Sequence, residues 1–351
     1  MFIVNYERAI EVILAIAEAL MSNEFPFENA LRPQDSVRID GNRLEQSQFW
    51  FYACHYMRGA INSTMAIRRL AEMRNERPNL FVPNTAQNEN KEDLEKYLRG
   101  KINYHSGQIA QFWIDNSQLL AEHYANDPRA IYAGMEDYRA IHEIVANKRV
   151  GKKERANGFA GFHGFQRKMS GMLTYFLLDQ RLIPDAKFSM AIDFHIIRVL
   201  TANGVIVSDT VPFRYCDDVQ VAALDALAYF HERHPEYPMS KVCDALWLLS
   251  SALCNKSPWN QGFDITGEKM ESRRRHMRKN GVDPAVRKKD VFLKLPFPEE
   301  AEFNHSGWMK TGNALRREAT TCGRCPACDT CRHGVPSWDY YQEGLFVLRE
   351  K

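Results

Sequence analysis

The chain predicts an all-α fold, and three features of the sequence carry that expectation. Apolar residues recur at three- and four-residue spacings through most segments, and alternation at every second position is almost absent. A helix-start signal, Asn126-Asp127-Pro128, precedes one of the periodic runs. With 351 residues and 45% apolar content, the chain is long enough to bury a core in one large domain or two modest ones. The formal charge of +2 does not by itself announce a polyanionic partner, so the clustering of basic residues decides that question.

Residues 4–22 are expected as an amphipathic helix with Ile10, Ile13, Leu14, Ala17 and Leu20 on its apolar face, widened by Val12 and Ile16. Arg8 lies between Glu7 and Glu11, which is not the basic start of a signal peptide, and no run reaches transmembrane length. These observations predict a cytoplasmic protein with no membrane partner. Residues 24–43 are loop-like, and Gln48–Met73 is strongly apolar with a polar break at Arg58-Gly59. Residues 74–93, rich in Asn, Pro and Glu, form an excursion before helical patterns at 94–125 and 129–147.

From Asn157 to Asp179, glycines punctuate what is expected to be two short helical pieces around a tight turn. Gly164 can supply a backbone conformation that other residues resist, and the amides after it would point outward at the next helix's N-terminus. Arg167 and Lys168 then lie beside a natural anion site; the competing reading is a solvated turn with two basic residues. In FSMAIDFHIIRVL, Ile192, Ile196, Val199 and Leu200 fit a buried helical face. Asp193, at its first turn, is either a helix cap or a pocket carboxylate, and His195 is a core or hydrogen-bonding histidine. Residues 218–254 hold two further helical patterns.

Residues 259–320 are polar and poor in periodicity. Between Ser272 and Lys289 they carry Arg273, Arg274, Arg275, Arg278, Lys279, Arg287, Lys288 and Lys289 against a single Asp. Such a patch is either a phosphate-backbone contact or a solvated loop. Five of the eight cysteines are Cys254, which follows an apolar run, and Cys322, Cys325, Cys328 and Cys331 in CGRCPACDTC. Clustered cysteines without a secretory signal point to metal ligation in a reducing compartment. The choices are a 4Fe-4S cluster, a zinc site drawing on Cys322, Cys325, Cys331 and His333 (or on Cys328 in place of one of them), and a reduced unliganded tail.

HGFQRKMSGML, AIDFHIIRV and the cysteine spacing together resemble the helix-hairpin-helix DNA glycosylase superfamily, in particular its endonuclease III-like iron–sulfur branch. The resemblance covers residues 150–254 and 322–331 well and the N-terminal third loosely. It implies a two-lobed helical fold with a C-terminal iron–sulfur loop, in which Gly164, Gln166 and Arg167 form the DNA-binding hairpin. Lys168 falls where bifunctional members carry a nucleophilic lysine, Asp193 matches the catalytic aspartate, and Cys254, Cys322, Cys325 and Cys331 match the cluster ligands. Arg58 and Asn62 occupy the region in which the family places a gap-filling residue, and Arg324 would be presented to phosphate by the cluster loop. Phe49, Trp50, Tyr52 and Tyr56 are candidates to line a base pocket, with a place in the core as the favoured reading of each.

The chain departs from the family pattern at Gln166, which replaces the second hairpin glycine. It departs again in the 25 positions between Lys168 and Asp193, and in the insertion before the last cysteines. The expected organisation is an N-terminal helical region at 1–147, a catalytic core at 148–258, a basic insertion at 259–321 and a cluster loop with tail at 322–351. The implied activity is a DNA base N-glycosylase for a damaged or modified base, in the cytoplasm or, if phage-encoded, in the bacterial cytoplasm. The alternatives are a hypermodified-pyrimidine enzyme of the amino acid:DNA transferase kind, a modified-nucleoside N-glycosidase, and a non-catalytic nucleic-acid-binding protein.

Overall fold

The computed structural model describes residues 2–28, 30–57, 63–147, 159–208, 213–214, 217–253, 325–327, 330, 339–340 and 345–347. The expected helical class holds: the described chain is predominantly helical, with short strands and no closed sheet. The elements in order begin with β1 (Phe2–Val4), α1 (Tyr6–Met21), α2 (Arg43–Ala53), α3 (Ser63–Glu76), α4 (Pro83–Ala86), α5 (Lys91–Lys101) and α6 (Ser106–Tyr124). There follow β2 (Asp137–Tyr138), α7 (Ile141–Val145), α8 (Arg167–Asp179), β3 (Lys187–Phe188) and α9 (Phe194–Ala202). The series ends with β4 (Ile206–Ser208), β5 (Phe213–Arg214), α10 (Asp217–Arg233), α11 (Met239–Leu248), β6 (Asp339–Tyr340) and β7 (Leu345–Val347). Among the described residues no helix is long and apolar enough to cross a membrane.

Several sequence expectations change at this level. The N-terminal helix is preceded by a strand, and its buried face is Ala9, Val12, Ile13, Ile16, Ala17 and Ala19, so Ile10, Leu14 and Leu20 sit at the margin. The segment 94–125 is two helices, parted where His105 adopts a left-handed conformation (φ +44°). At 129–147 the cap of Asp127 and Pro128 starts only a 3-10 turn, Pro128–Tyr132; Gly134 at φ +74° follows, and the helix α7 has five residues. The described stretch before the turn at Gly164 is extended rather than helical, with Phe162 bridged to Ala146.

The chain divides into two compact units, Met1–Ala30 with Ile192–Lys351, and Leu31–Ala191. In the first, α1 packs on α10 and α11, α9 packs on the same two helices, and β1 pairs antiparallel with β4 in the register Ile3 to Val207. Its core is mainly aliphatic, with Ile13, Ile16, Ile197, Leu200, Ala223, Leu227 and Leu246 all buried alongside Phe27 and Phe230. In the second unit the core is aromatic. Tyr52 stacks on Trp113 at 4.4 Å between ring centroids, and Phe51 meets Phe162 and Phe165 at 5.0 and 5.6 Å. Burying each such ring stabilises the fold by roughly 1.5–3 kcal/mol.

Phe49, Trp50, Tyr52 and Tyr56 are all fully buried, so the core reading of these aromatics holds over the pocket one. They are the core itself, held ring against ring.

Candidate functional site

Two helix starts hold the predicted catalytic and hairpin residues, one in each unit. In the unit Leu31–Ala191, Phe162-His163-Gly164-Phe165 forms a β-turn closed by a hydrogen bond from the Phe165 amide to the Phe162 carbonyl (3.1 Å). Gly164 stands third in it at φ +77°, the conformation a type II turn requires there. Backbone bonds from the Phe162 amide to the Val145 carbonyl (2.9 Å) and from the Asn147 amide to the Phe165 carbonyl (3.0 Å) stitch the turn to the segment after α7. Gly161, at φ +90°, permits this approach, because a Cβ there would lie 2.2 Å from the Ala146 carbonyl oxygen.

Helix α8 leaves the turn with Gln166 as its N-cap, and that side chain makes no capping bond. Its first two residues are Arg167 and Lys168, and its first turn has no acid. The Nε of Arg167 is buried without a hydrogen-bond partner among the described residues. A helix N-terminus carries partial positive charge and usually attracts acids. Here two cations flank amides that no side chain caps, an arrangement suited to receiving an anion. Farther along α8, Gly171 lets the backbone of Ser189–Ala191 cross the helix, since a Cβ would meet the Ser189 carbonyl oxygen at 2.9 Å.

In the other unit, α9 begins at Asp193, which is only 5% exposed. Its Oδ1 accepts from the amides of His195 (2.8 Å) and Ile196 (3.3 Å). The His195 ring is also buried, with Nδ1 at 3.0 Å from the Ser250 hydroxyl and its edge toward Trp247. Cys243 lies close enough for both carboxylates to act on it: burial pushes its thiol up strongly, and Asp244 and Asp193 add to the shift. Of the two readings of Asp193, the helix cap is the one its hydrogen bonds show, and the capping carboxylate is buried. Lys168 and Asp193 belong to different units.

The other expectations fall in two groups. Arg58, Asn62, Arg273, Arg274, Arg275, Arg278, Lys279 and Arg324 lie outside the described residues, as do Cys254, Cys322 and Cys331. The 4Fe-4S expectation, with zinc as its alternative, is corrected. Among the described residues no group of three or more His, Cys, Asp or Glu side chains could hold a metal ion. A cluster or a zinc ion needs several such ligands converging on one centre. In its unit the described tail residue Thr330 donates to Asn203 Oδ1 (2.7 Å) beyond the C-terminal end of α9, the opposite end of that helix from Asp193.

Sequence reasoning missed Asn116 of α6, which is fully buried. Its Oδ1 accepts from the His163 amide (2.6 Å), and its Nδ2 donates to the His163 carbonyl (3.0 Å) and lies 2.8 Å from His55 Nε2. No signal in the sequence links positions 47 residues apart, as Asn116 and His163 are. Comparison with protein-family models, curated proteins and solved structures finds no match to this chain.

Proposed function

We propose that this chain is a DNA base N-glycosylase in which Asp193 stabilises the electron-poor sugar as the base departs or orients the attacking water. The observation that carries the reading is the buried carboxylate of Asp193, held in one orientation by two amides at the start of α9. Removing a carboxylate from water is costly, so a fold that buries one without need loses stability. In a poorly polarisable site the same carboxylate interacts strongly with positive charge developing at the anomeric carbon. The first turn of α8 supports the DNA part of the reading, because Arg167, Lys168 and the uncapped amides suit a backbone phosphate. The division into two helical units, one of them built from both Met1–Ala30 and the chain after Ile192, agrees with a two-lobed glycosylase.

Lys168 in this reading is a phosphate contact or the amine that attacks the sugar carbon once neutral. A modified-nucleoside N-glycosidase is the second reading, favoured by one feature: Gln166 is exposed at the helix start, where a duplex backbone would approach. The test is free-base release, followed by mass spectrometry, from duplexes carrying modified bases and from the corresponding nucleosides. Asp193→Asn is expected to lower release by about 10²–10³-fold, the scale of losing one preorganised electrostatic group. Asn caps helices as well as Asp, so the variant should fold. Undiminished release from Asp193→Asn removes the proposed chemistry, and release from nucleosides alone selects the second reading.

A further inference from the structure

Asn116 contacts the 162–165 turn at two points through its side-chain amide. Its amide pairs with both sides of one residue: Oδ1 takes the His163 N–H at 2.6 Å, and Nδ2 gives to the His163 carbonyl at 3.0 Å. The side chain thus does what a neighbouring β-strand would do, but at a single point and from a helix. The amide is itself oriented by His55. That ring lies with Nδ1 at 3.0 Å from the Tyr52 carbonyl, which only accepts, so Nδ1 carries the proton and Nε2 is left to accept from Asn116 Nδ2 at 2.8 Å. His55 and Asn116 are 1% and 0% exposed, so a reversed amide would set acceptor against acceptor at His55 Nε2 and at the His163 carbonyl, and donor against donor at the His163 N–H, with no water to relieve it. Phe162 and Phe165, on either side of the pinned residue, are buried and fix the two flanks of the turn.

The consequence reaches Arg167 and Lys168. Only Gln166 separates the turn from α8, and this N-cap residue is exposed without a capping bond of its own. The direction in which the helix start points is therefore set upstream, at His163 and Gly164. We infer that Asn116, oriented by His55, is a positioning residue for polyanion binding: it fixes the turn and so aims the α8 amides, Arg167 and Lys168 at one phosphate. This rests on the DNA reading above, and it adds a residue on α6 to the binding machinery.

The test is duplex binding by the full chain at several salt concentrations, with amide hydrogen exchange as a check on folding. Asn116→Ala is expected to weaken binding about tenfold and to lower the salt slope by about 1–2, the loss of one or two phosphate contacts. Exchange should quicken at His163 while the amides within α6 stay protected. In an Arg167→Ala/Lys168→Ala background the same substitution should change binding less than about twofold, because the two lesions share one effect. A merely structural Asn116 would give additive losses instead. His163→Pro should restore binding to Asn116→Ala, since proline favours the second position of a type II turn and fixes it without the amide bond. If Asn116→Ala does not fold, Asn116→Leu, which keeps the volume, takes its place in every measurement. Wild-type binding matched by Asn116→Ala, or additive losses, overturns this inference alone. A wild-type protein that binds no duplex at any salt removes the DNA reading and the inference together.

Discussion

Helices α8 and α9 begin in opposite ways. The start of α9 brings its own anion: Asp193 is buried, and two amides converge on its Oδ1. The start of α8 brings none; Gln166 makes no side-chain cap, and Arg167 and Lys168 place positive charge where the helix already carries it. The first arrangement is satisfied and holds a carboxylate still. The second has no side-chain cap and no acid in its first turn, and in the proposed reading a backbone phosphate is what it receives. The two starts differ in their N-cap residue, a carboxylate that bonds the first-turn amides in α9 and an amide that does not in α8.

That contrast can be broken from either side. The largest effect is expected at Asp193, where Asn removes the charge and keeps the cap, whereas Ala removes both. Base release should fall by about 10²–10³-fold in each case, but only Ala should also lower stability in denaturant titrations, by roughly 1 kcal/mol. If only the Ala variant loses stability and neither variant loses activity, Asp193 is a cap alone. Next in size is Gly161→Ala. Its Cβ would fall 2.2 Å from the Ala146 carbonyl oxygen at a φ of +90°, and a destabilisation of about 2 kcal/mol or more is expected on unfolding, with loss of duplex binding. A smaller and more informative change is Gln166→Asp, which gives α8 the kind of start that α9 has. Stability should rise by about 1 kcal/mol while duplex affinity falls, because a fixed carboxylate occupies the place of the phosphate. An affinity that rises with the added cap contradicts the anion-receiving role. The smallest effect serves as a control: Asn42 caps α2 through Leu44 and Glu45, and Asn42→Ala should cost about 1 kcal/mol of stability with duplex binding unchanged.

The sequence made some of these elements legible and left others hidden. Helix α10 is plain from periodicity, because it buries one face that includes Val219, Ala223, Ala226, Leu227 and Phe230, whereas α11 is buried on all sides from Val242 to Leu246. Asp193 is legible as an acid opening an apolar helix. The start signal at Asn126-Asp127-Pro128 misleads, since a cap and a proline begin a turn but only packing extends it, and Gly134 follows in a positive-φ conformation. The cysteine spacing suggests a metal on chain proximity alone, while ligation requires the side chains to converge in space; among the described residues none do. The four aromatics near residue 50 look alike whether they line a pocket or fill a core, and burial alone decides for the core.

By itself the sequence determined the helical class, the two basic residues after Gly164 and the acid at the head of α9. These are local matters, set by side-chain periodicity, by a glycine's freedom and by the residue at a helix start. Only the tertiary structure decided that Asp193 is buried and that Asn116 pins a turn 47 positions away. Burial and long-range hydrogen bonds arise when separate segments exclude water from one another, and no stretch of chain read alone contains that condition.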